Sequence, residues 1–132
     1  MRIFKTKVFA RFARSAGLGD KALRQAANEV EKGLVDAALG GNLFKKRVAL
    51  PGRGKRGGAR TILVHCKSPV RMFFLYGFPK NVKDNLSDVE LLALKRLEKE
   101  YSKFRDEQIK TLIDSAELQE IENGDAEEED NG

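Results

Sequence analysis

The sequence of 132 residues contains one cysteine and one histidine, and this scarcity excludes several kinds of site. A single cysteine cannot form an internal disulfide, and the position of Cys66 in an apolar run fits a reducing compartment. His65 precedes Cys66 directly, so on an alternating strand the two side chains would not form a thiol–imidazole pair. No group of His, Cys, Asp and Glu has the spacing of a metal site. We therefore predict neither a metal nor another cofactor.

Long apolar segments are also missing. No run approaches the roughly 18 residues that a membrane-spanning helix needs, and Met1–Lys5 lacks the apolar region of a secretory signal. The sequence thus predicts a cytoplasmic protein without membrane contact. Hydrophobic residues make up 41% of the chain, which is enough for one core, and the length fits one domain.

Acidic residues are absent from a long central segment. No Asp or Glu lies between Asp36 and Asp84, whereas eleven Lys and Arg do. Residues 1–110 hold all 25 Lys and Arg with 11 acids, while residues 111–132 hold nine acids and no Lys or Arg. A solvated surface normally mixes the two signs, so the basic segment favours a polyanionic partner, nucleic acid first. A surface that only keeps the protein in solution is the alternative.

The apolar pattern predicts an α+β fold with the order β-α-α-β-β-β-α. We expect an edge strand over 1–5, helices over 7–16 and 20–32, and strands over 44–50, 60–66 and 70–78. A closing helix should begin at the capping box Ser87-Asp88-Val89-Glu90 and end at about Phe104, and a short helix should follow over 106–116. The first two helices should form a hairpin, and the short links between the three strands favour an antiparallel sheet. One domain is expected over 1–116, followed by an acidic, disordered tail over 117–132.

A glycine-rich segment separates the first two strands of the predicted meander. Gly52-Arg53-Gly54-Lys55-Arg56-Gly57 matches GxGxxG, but in dinucleotide-binding proteins that pattern opens a helix, and here a strand follows. A Walker A motif is excluded because no Gly-Lys-Ser/Thr occurs. The glycines would let backbone N–H groups and cationic side chains approach a phosphate closely. A hairpin loop with solvated charges is the alternative.

Three segments together resemble the HigB-like branch of the RelE/ParE toxin superfamily. They are Lys45-Lys46-Arg47-Val48-Ala49, the Gly-x-Gly-Lys-Arg-Gly-Gly-x-Arg run over 52–60, and Tyr-Gly-Phe-x-Lys-Asn-x-x-Asp-Asn over 76–85. The resemblance spans roughly residues 1–100 and includes the element order. It implies a RelE-like fold and a toxin of a type II toxin–antitoxin pair, with a cognate antitoxin. RelE-like members cleave mRNA, often on the ribosome.

The resemblance also implies site residues. By position, Arg60 matches the family's arginine at the start of the second meander strand, and Lys46 and Lys55 match the basic residues before it. Lys83 falls near the basic residue that follows the last strand. The C-terminal tyrosine that some RelE enzymes use has no clear match here.

Such a site could cleave RNA without histidine, because RNA carries its own nucleophile, the 2′-OH. A general base must remove the proton of this hydroxyl, and cations must stabilise the charge on phosphorus oxygens. Since crowded lysines lower one another's pKa, we predict Lys46 or Lys55 as base and Arg60 as phosphate clamp. Further RNA contacts are expected from Lys45, Arg47, Arg53, Arg56, Tyr76, Lys80 and Lys83, with Tyr76 or Phe78 stacking on a base.

Two other functions are compatible with the sequence. A ParE-like gyrase poison would have the same fold and no nuclease chemistry, so the fold does not discriminate between them. A non-catalytic RNA-binding protein would show the same basic segment. The basic strands and loop favour the endoribonuclease.

Overall fold

The computed structural model describes residues 1–52, 54–83 and 85–122, with the backbone alone for 54–57. The described residues form β1 (Arg2–Thr6), α1 (Lys7–Ala16), α2 (Asp20–Glu31), β2 (Ala37–Gly40), β3 (Leu43–Leu50), β4 (Gly54–Lys67), β5 (Val70–Pro79), α3 (Asp88–Tyr101), α4 (Asp106–Asp114) and β6 (Leu118–Ile121). Of these helices, none combines the length and apolar character needed to cross a bilayer. The predicted α+β class is confirmed.

The strands form one six-stranded sheet in the order β2-β3-β4-β5-β1-β6. The three predicted strands are an antiparallel meander, β3-β4-β5, because their connections are short. β1 lies parallel to β5 and antiparallel to β6, so the sheet is mixed rather than wholly antiparallel. A parallel neighbour requires a long crossover, which the intervening helices and strands supply.

Helices cover both faces of the sheet, and this explains why β4 and β5 are almost continuously apolar. On one face, which we call the hairpin face, α1 and α2 bury Phe9, Leu23 and Val30 against Leu63 and Phe74. On the opposite α3 face, α3 and α4 pack over a second core, with the fully buried residues Phe4, Leu43, Ile62, Val64, Phe73 and Ile109. Strands buried on both sides lose the polar alternation of an exposed sheet.

Two sequence predictions are wrong at the margins of the sheet, and one strand was missed. β1 is an inner strand, not an edge strand, since it hydrogen-bonds to β5 and β6. Leu118–Ile121 is a strand rather than part of a disordered tail, and the side chains at its two ends are buried. The short edge strand Ala37–Gly40 was not predicted. Residues 123–132, the rest of the predicted tail, lie outside the described residues.

Ion pairs and a hydrogen bond connect the C-terminal elements to β1 and β5. The guanidinium of Arg2 donates two hydrogen bonds of 2.9 Å to the carboxylate of Glu120 in β6. Arg71 of β5 donates to the backbone oxygen of Phe104 at 2.6 Å and to the carboxylate of Asp106. The segment after α3 is therefore part of the domain, which extends beyond the predicted boundary at residue 116.

Candidate nucleic-acid interface

A row of cationic and aromatic side chains crosses the meander on the α3 face. Arg47 of β3 lies directly opposite Arg60 of β4, and Arg60 lies directly opposite Phe78 of β5. Residues opposite each other in neighbouring strands share a face of the sheet, and Phe78 belongs to the core of the α3 face. We call Arg47, Arg60, Tyr76, Phe78 and Lys83 the cross-strand cluster.

Arg47 is the solvent-accessible end of this cluster, and an aspartate holds it in place. Its side chain is 46% exposed, and its Nε donates to Oδ1 of Asp36 at 2.8 Å. The backbone N–H of Arg47 donates to Oδ2 of the same carboxylate at 2.6 Å. Burial alone would raise the pKa of Asp36, but these hydrogen bonds outweigh it and bring the pKa below its ordinary value. Asp36 is therefore ionised at neutral pH and partly neutralises Arg47.

Arg60 differs from Arg47 in its depth. It is only 4% exposed, although it stands between two strands at the centre of the cluster. A guanidinium remains charged under physiological conditions, and burying it costs free energy unless other groups compensate. A deeply placed guanidinium, with its planar fork of donors, suits the binding of a phosphate.

Tyr76, Lys83 and Glu90 form a hydrogen-bonded group next to Arg60. The Tyr76 hydroxyl donates to Oε2 of Glu90 at 2.7 Å, and Nζ of Lys83 donates to that same oxygen. Lys83 Nζ is also 3.3 Å from the Tyr76 hydroxyl oxygen. The hydrogen bonds from Lys83, from the Ser87 backbone and from Tyr76 lower the pKa of Glu90 to about 2. The carboxylate is thus ionised at every physiological pH.

The two aromatic rings of the cluster lie close to each other and to a cation. The ring centroids of Tyr76 and Phe78 are 5.9 Å apart, and Lys83 Nζ is 5.3 Å from the first and 5.0 Å from the second. Both distances are within the range of cation–π attraction. Phe78 is 3% exposed, so it is a wall of the site, whereas half-buried Tyr76 can present part of its ring to a ligand.

Lys46, predicted as a possible base, is on the other face of the sheet. Its Nζ lies 2.7 Å from Oε1 of Glu29 in α2 and donates to the backbone oxygen of Leu34 at 2.8 Å. The side chain is only 7% exposed. Alternation along β3 explains this position, because neighbours of Arg47 in the strand point away from its face. The structure therefore does not bring Lys46 together with Arg60.

The other predicted contacts are placed as follows. Lys45 Nζ donates to the side-chain oxygen of Asn85 at 3.3 Å, at the approach to α3. Lys80 is exposed just beyond β5, and its backbone N–H donates to the oxygen of Gly58 at 3.2 Å. Arg53 lies outside the described residues, as do the side chains of Lys55 and Arg56. β4 begins at Gly54, so the backbone of the glycine-rich segment belongs largely to a strand rather than to a loop.

His65 and Cys66 are outside the cluster. Burial lowers the pKa of His65, which is 7% exposed, so the imidazole is neutral near pH 7. Burial also raises the pKa of the Cys66 thiol, which keeps it protonated and unreactive. Among the described residues, no group of three or more His, Cys, Asp and Glu is arranged to hold a metal ion.

Sequence reasoning missed the acids of the site. The sequence pattern points to cations, whereas Asp36 and Glu90 determine where two of those cations lie. Two signals were available. Asp36 marks the start of the acid-free segment, and Glu90 is the last residue of the capping box before α3.

An apolar groove adjoins the cluster, and Tyr76 and Glu90 form one of its walls. Its volume is about 400 Å³, and its lining includes Leu75, Leu94 and Leu97. The groove lies between the sheet and α3, beside the Tyr76–Glu90 pair.

Comparison with known proteins identifies the family. A family model described as "RelE toxin of RelE / RelB toxin-antitoxin system" matches residues 1–121. The chain belongs to the RelE toxin family. This RelE-family toxin is thus the toxin component of a toxin–antitoxin system and has a cognate antitoxin as partner. The matched region ends with the last residue of β6, so it contains every element of the sheet. A search of curated proteins found no significant match.

Proposed function

We propose that this RelE-family toxin is an endoribonuclease that cleaves mRNA, and that it acts on mRNA bound to the ribosome. The observation that carries the proposal is the row formed by Arg47, Arg60 and Phe78, with Tyr76 and Lys83 beside it. Two guanidinium groups, one ammonium and an accessible aromatic ring on one face suit a phosphate and a neighbouring base. The same row lies in the segment of the sequence that contains no Asp or Glu. A surface of one charge favours a polyanion as binding partner over a protein surface that carries both charges.

The reaction assigned to the site is an intramolecular transesterification of the RNA backbone. The 2′-oxygen attacks the adjacent phosphorus, the bond from phosphorus to the 5′-oxygen breaks, and the departing 5′-oxygen takes up a proton. Arg60 stabilises the negative charge that develops on the phosphate oxygens. The hydrogen bond to Glu90 raises the pKa of Lys83, so this member of the cluster keeps its positive charge.

Lys55 is the general base of the proposal. Lys46, the other candidate, pairs with Glu29 on the hairpin face and is not within reach of the α3 face. Lys55 belongs to β4, between Gly54, which pairs with Leu50 of β3, and Ala59, which pairs with Val48 of β3. It thus lies on the same strand as Arg60, in the glycine-rich segment that resembles the HigB-like branch. On that resemblance we assign the toxin to this branch, and to the cytoplasm, where mRNA is translated.

The test analyses both the products and the dependence on ribosomes. Purified toxin is incubated with an mRNA, alone and in a translating ribosome complex, and the cleaved ends are mapped. The proposal expects cleavage that ribosomes stimulate, and it expects downstream fragments that start with a 5′-hydroxyl, which a kinase labels without prior phosphatase treatment. Intact mRNA in both reactions would contradict nuclease activity. If DNA breaks accumulate in growing cells while mRNA stays intact, the gyrase-directed function is correct instead.

A further inference from the structure

A single carboxylate, that of Glu90, connects the three segments that surround the cluster. Its Oε2 accepts hydrogen bonds from Tyr76 in β5 and from Lys83 in the segment after β5. Its Oε1 accepts the backbone N–H of Ser87 at the start of α3, at 2.9 Å. Glu90 therefore determines where a ring and a cation of the proposed RNA site lie relative to the helix.

Helix capping alone does not account for these contacts. In a capping box, one side-chain oxygen of the third helical residue accepts the N–H of the cap residue. The same chain shows that a neutral amide suffices, because Oε1 of Gln108 accepts the N–H of Arg105 at 2.8 Å at the start of α4. The cap of α3 thus needs neither the negative charge of Glu90 nor its second oxygen.

The charge and the second oxygen act on Tyr76 and Lys83. The hydrogen bond to Glu90 is the main reason why the pKa of Tyr76 is raised, so the phenol stays a donor that points at the carboxylate. The same carboxylate holds the Lys83 ammonium near the rings of Tyr76 and Phe78. The Tyr76 hydroxyl and the Lys83 ammonium are thereby held in place before RNA binds, which lowers the entropic cost of binding.

We propose that Glu90 is a positioning residue of the RNA site, which acts through Tyr76 and Lys83 and does not itself contact RNA. The proposal rests on the proposed function, because it assumes that Tyr76 and Lys83 bind RNA. A carboxylate repels phosphate, so Glu90 contributes to affinity only by orienting its two partners. Its loss should weaken binding of substrate and leave the chemical step, assigned to Arg60 and Lys55, nearly intact.

The decisive variant is Glu90→Gln. Glutamine keeps an oxygen for the Ser87 N–H, as Gln108 does in α4, so α3 should still form. It removes the charge that holds Lys83. The matched control is Ser87→Ala, which removes the side-chain oxygen that caps the Glu90 N–H at 3.2 Å but leaves the contacts of Glu90 with Tyr76 and Lys83.

The measurements separate positioning from capping. The chain has two tyrosines and no tryptophan, so in a Tyr101→Phe background Tyr76 is the sole fluorescent side chain of its kind. We expect RNA to quench the fluorescence of Tyr76, so that binding can be followed directly. Glu90→Gln should weaken RNA binding and raise KM by about tenfold, which corresponds to the loss of one charge-assisted hydrogen bond. Its kcat should stay within about twofold of the wild-type value. Ser87→Ala should lower Tm and leave RNA affinity unchanged.

Three results would overturn the proposal or its premise. Wild-type affinity in Glu90→Gln would show that orientation by Glu90 is irrelevant. Equal loss of affinity in Glu90→Gln and Ser87→Ala, in proportion to Tm, would show that Glu90 only caps the helix. Absence of RNA binding and cleavage by the wild-type toxin would instead contradict the proposed function. In that case, alkaline titration of Tyr76 tests the contact itself, because its pKa should fall in Glu90→Gln.

Discussion

Arg47 and Arg60 lie directly opposite each other in β3 and β4, so two guanidinium groups share one face of the sheet. Like charges in this arrangement repel each other and destabilise the strand pair. Asp36, which pairs with Arg47, offsets part of that repulsion. A bound phosphate would offset more of it, because it brings negative charge to both guanidinium groups.

Replacing Asp36 should therefore change stability and RNA affinity in opposite directions. In Asp36→Asn, we expect the free energy of unfolding at pH 7 to fall by about 1 kcal/mol, and RNA affinity at low salt to rise. Since the folded pKa of Asp36 is below its ordinary value, its stabilising contribution is present above the unfolded pKa, near 4, and disappears as the pH falls through the folded pKa. Urea unfolding at pH 7 and at pH 3 should thus show a smaller difference between the two proteins at pH 3 than at pH 7. A lower RNA affinity in Asp36→Asn would mean that Arg47 needs Asp36 to hold its position.

Lys46 should matter for folding and not for cleavage. Lys46→Met removes the ion pair with Glu29 and leaves the backbone oxygen of Leu34 without its ammonium donor. We expect a loss of about 2–4 kcal/mol in stability, with cleavage by the folded protein within about threefold of the wild type. Denaturant melts and cleavage assays well below the melting temperature check both expectations. If folded Lys46→Met loses cleavage by two orders of magnitude or more, Lys46 is the base and the assignment to Lys55 is wrong.

Arg60 should be essential for cleavage. Arg60→Ala removes the deep cation of the cluster, and cleavage should fall about 100-fold or more if Arg60 stabilises charge in the transition state. Arg60→Lys keeps the charge but not the planar fork, so it should restore only part of the activity. Single-turnover cleavage rates of proteins with native circular dichroism provide the measurement.

Two variants on the same strand provide the controls for Arg60. Lys67→Ala removes an exposed cation at the far end of β4, and His65→Gln replaces the buried, neutral imidazole. Both should cleave RNA nearly as the wild type does. Complete inactivity of folded His65→Gln would overturn the assignment of Lys55 as the general base.

The acidic C-terminal residues should compete weakly with RNA for the basic surface. Residues 123–132 hold five acids and follow β6, so the chain is best shortened after Glu122, which leaves the sheet intact. Tethering keeps these charges at an effective concentration on the order of millimolar, but attraction between solvated charges is screened beyond about 8 Å at physiological salt. We expect the shortened toxin to bind RNA more tightly at low salt, with the difference vanishing as salt rises. Equal affinities at low salt would leave these residues with a role in solubility alone.

The fold was largely predictable because most of its elements carry local signals. Thr6 caps α1, Ser87 and Glu90 cap α3, and the apolar runs of β4 and β5 predict buried strands. β6 carried no such signal, because its two buried residues, Leu118 and Ile121, are separated by Gln119 and Glu120 in an acidic context. Its pairing with β1 joins opposite ends of the domain, and a local pattern does not encode that contact.

The candidate site was predictable in its cations and not in their arrangement. Lys45, Lys46 and Arg47 are adjacent in sequence and equally basic, yet strand alternation places Lys46 on the opposite face from Arg47. Which face carries the site depends on α2 supplying Glu29 to one face and on Arg60 occupying the other. The face on which each cation lies depends on tertiary packing, so counting charges along the sequence does not predict it.

The position of β1 between β5 and β6 governs the order in which the molecule can be assembled. Thr6 bonds to Leu75, 69 positions away, and Arg2 bonds to Glu120, 118 positions away. In contrast, β3, β4 and β5 are joined by short connections and can pair as soon as they are synthesised. Contacts between distant parts of a chain form late, because their loop-closure entropy must be overcome first. A toxin chain still being translated therefore cannot close its sheet until β6 has emerged, and until then the edge of β1 that pairs with β6 presents unpaired backbone N–H and C=O groups.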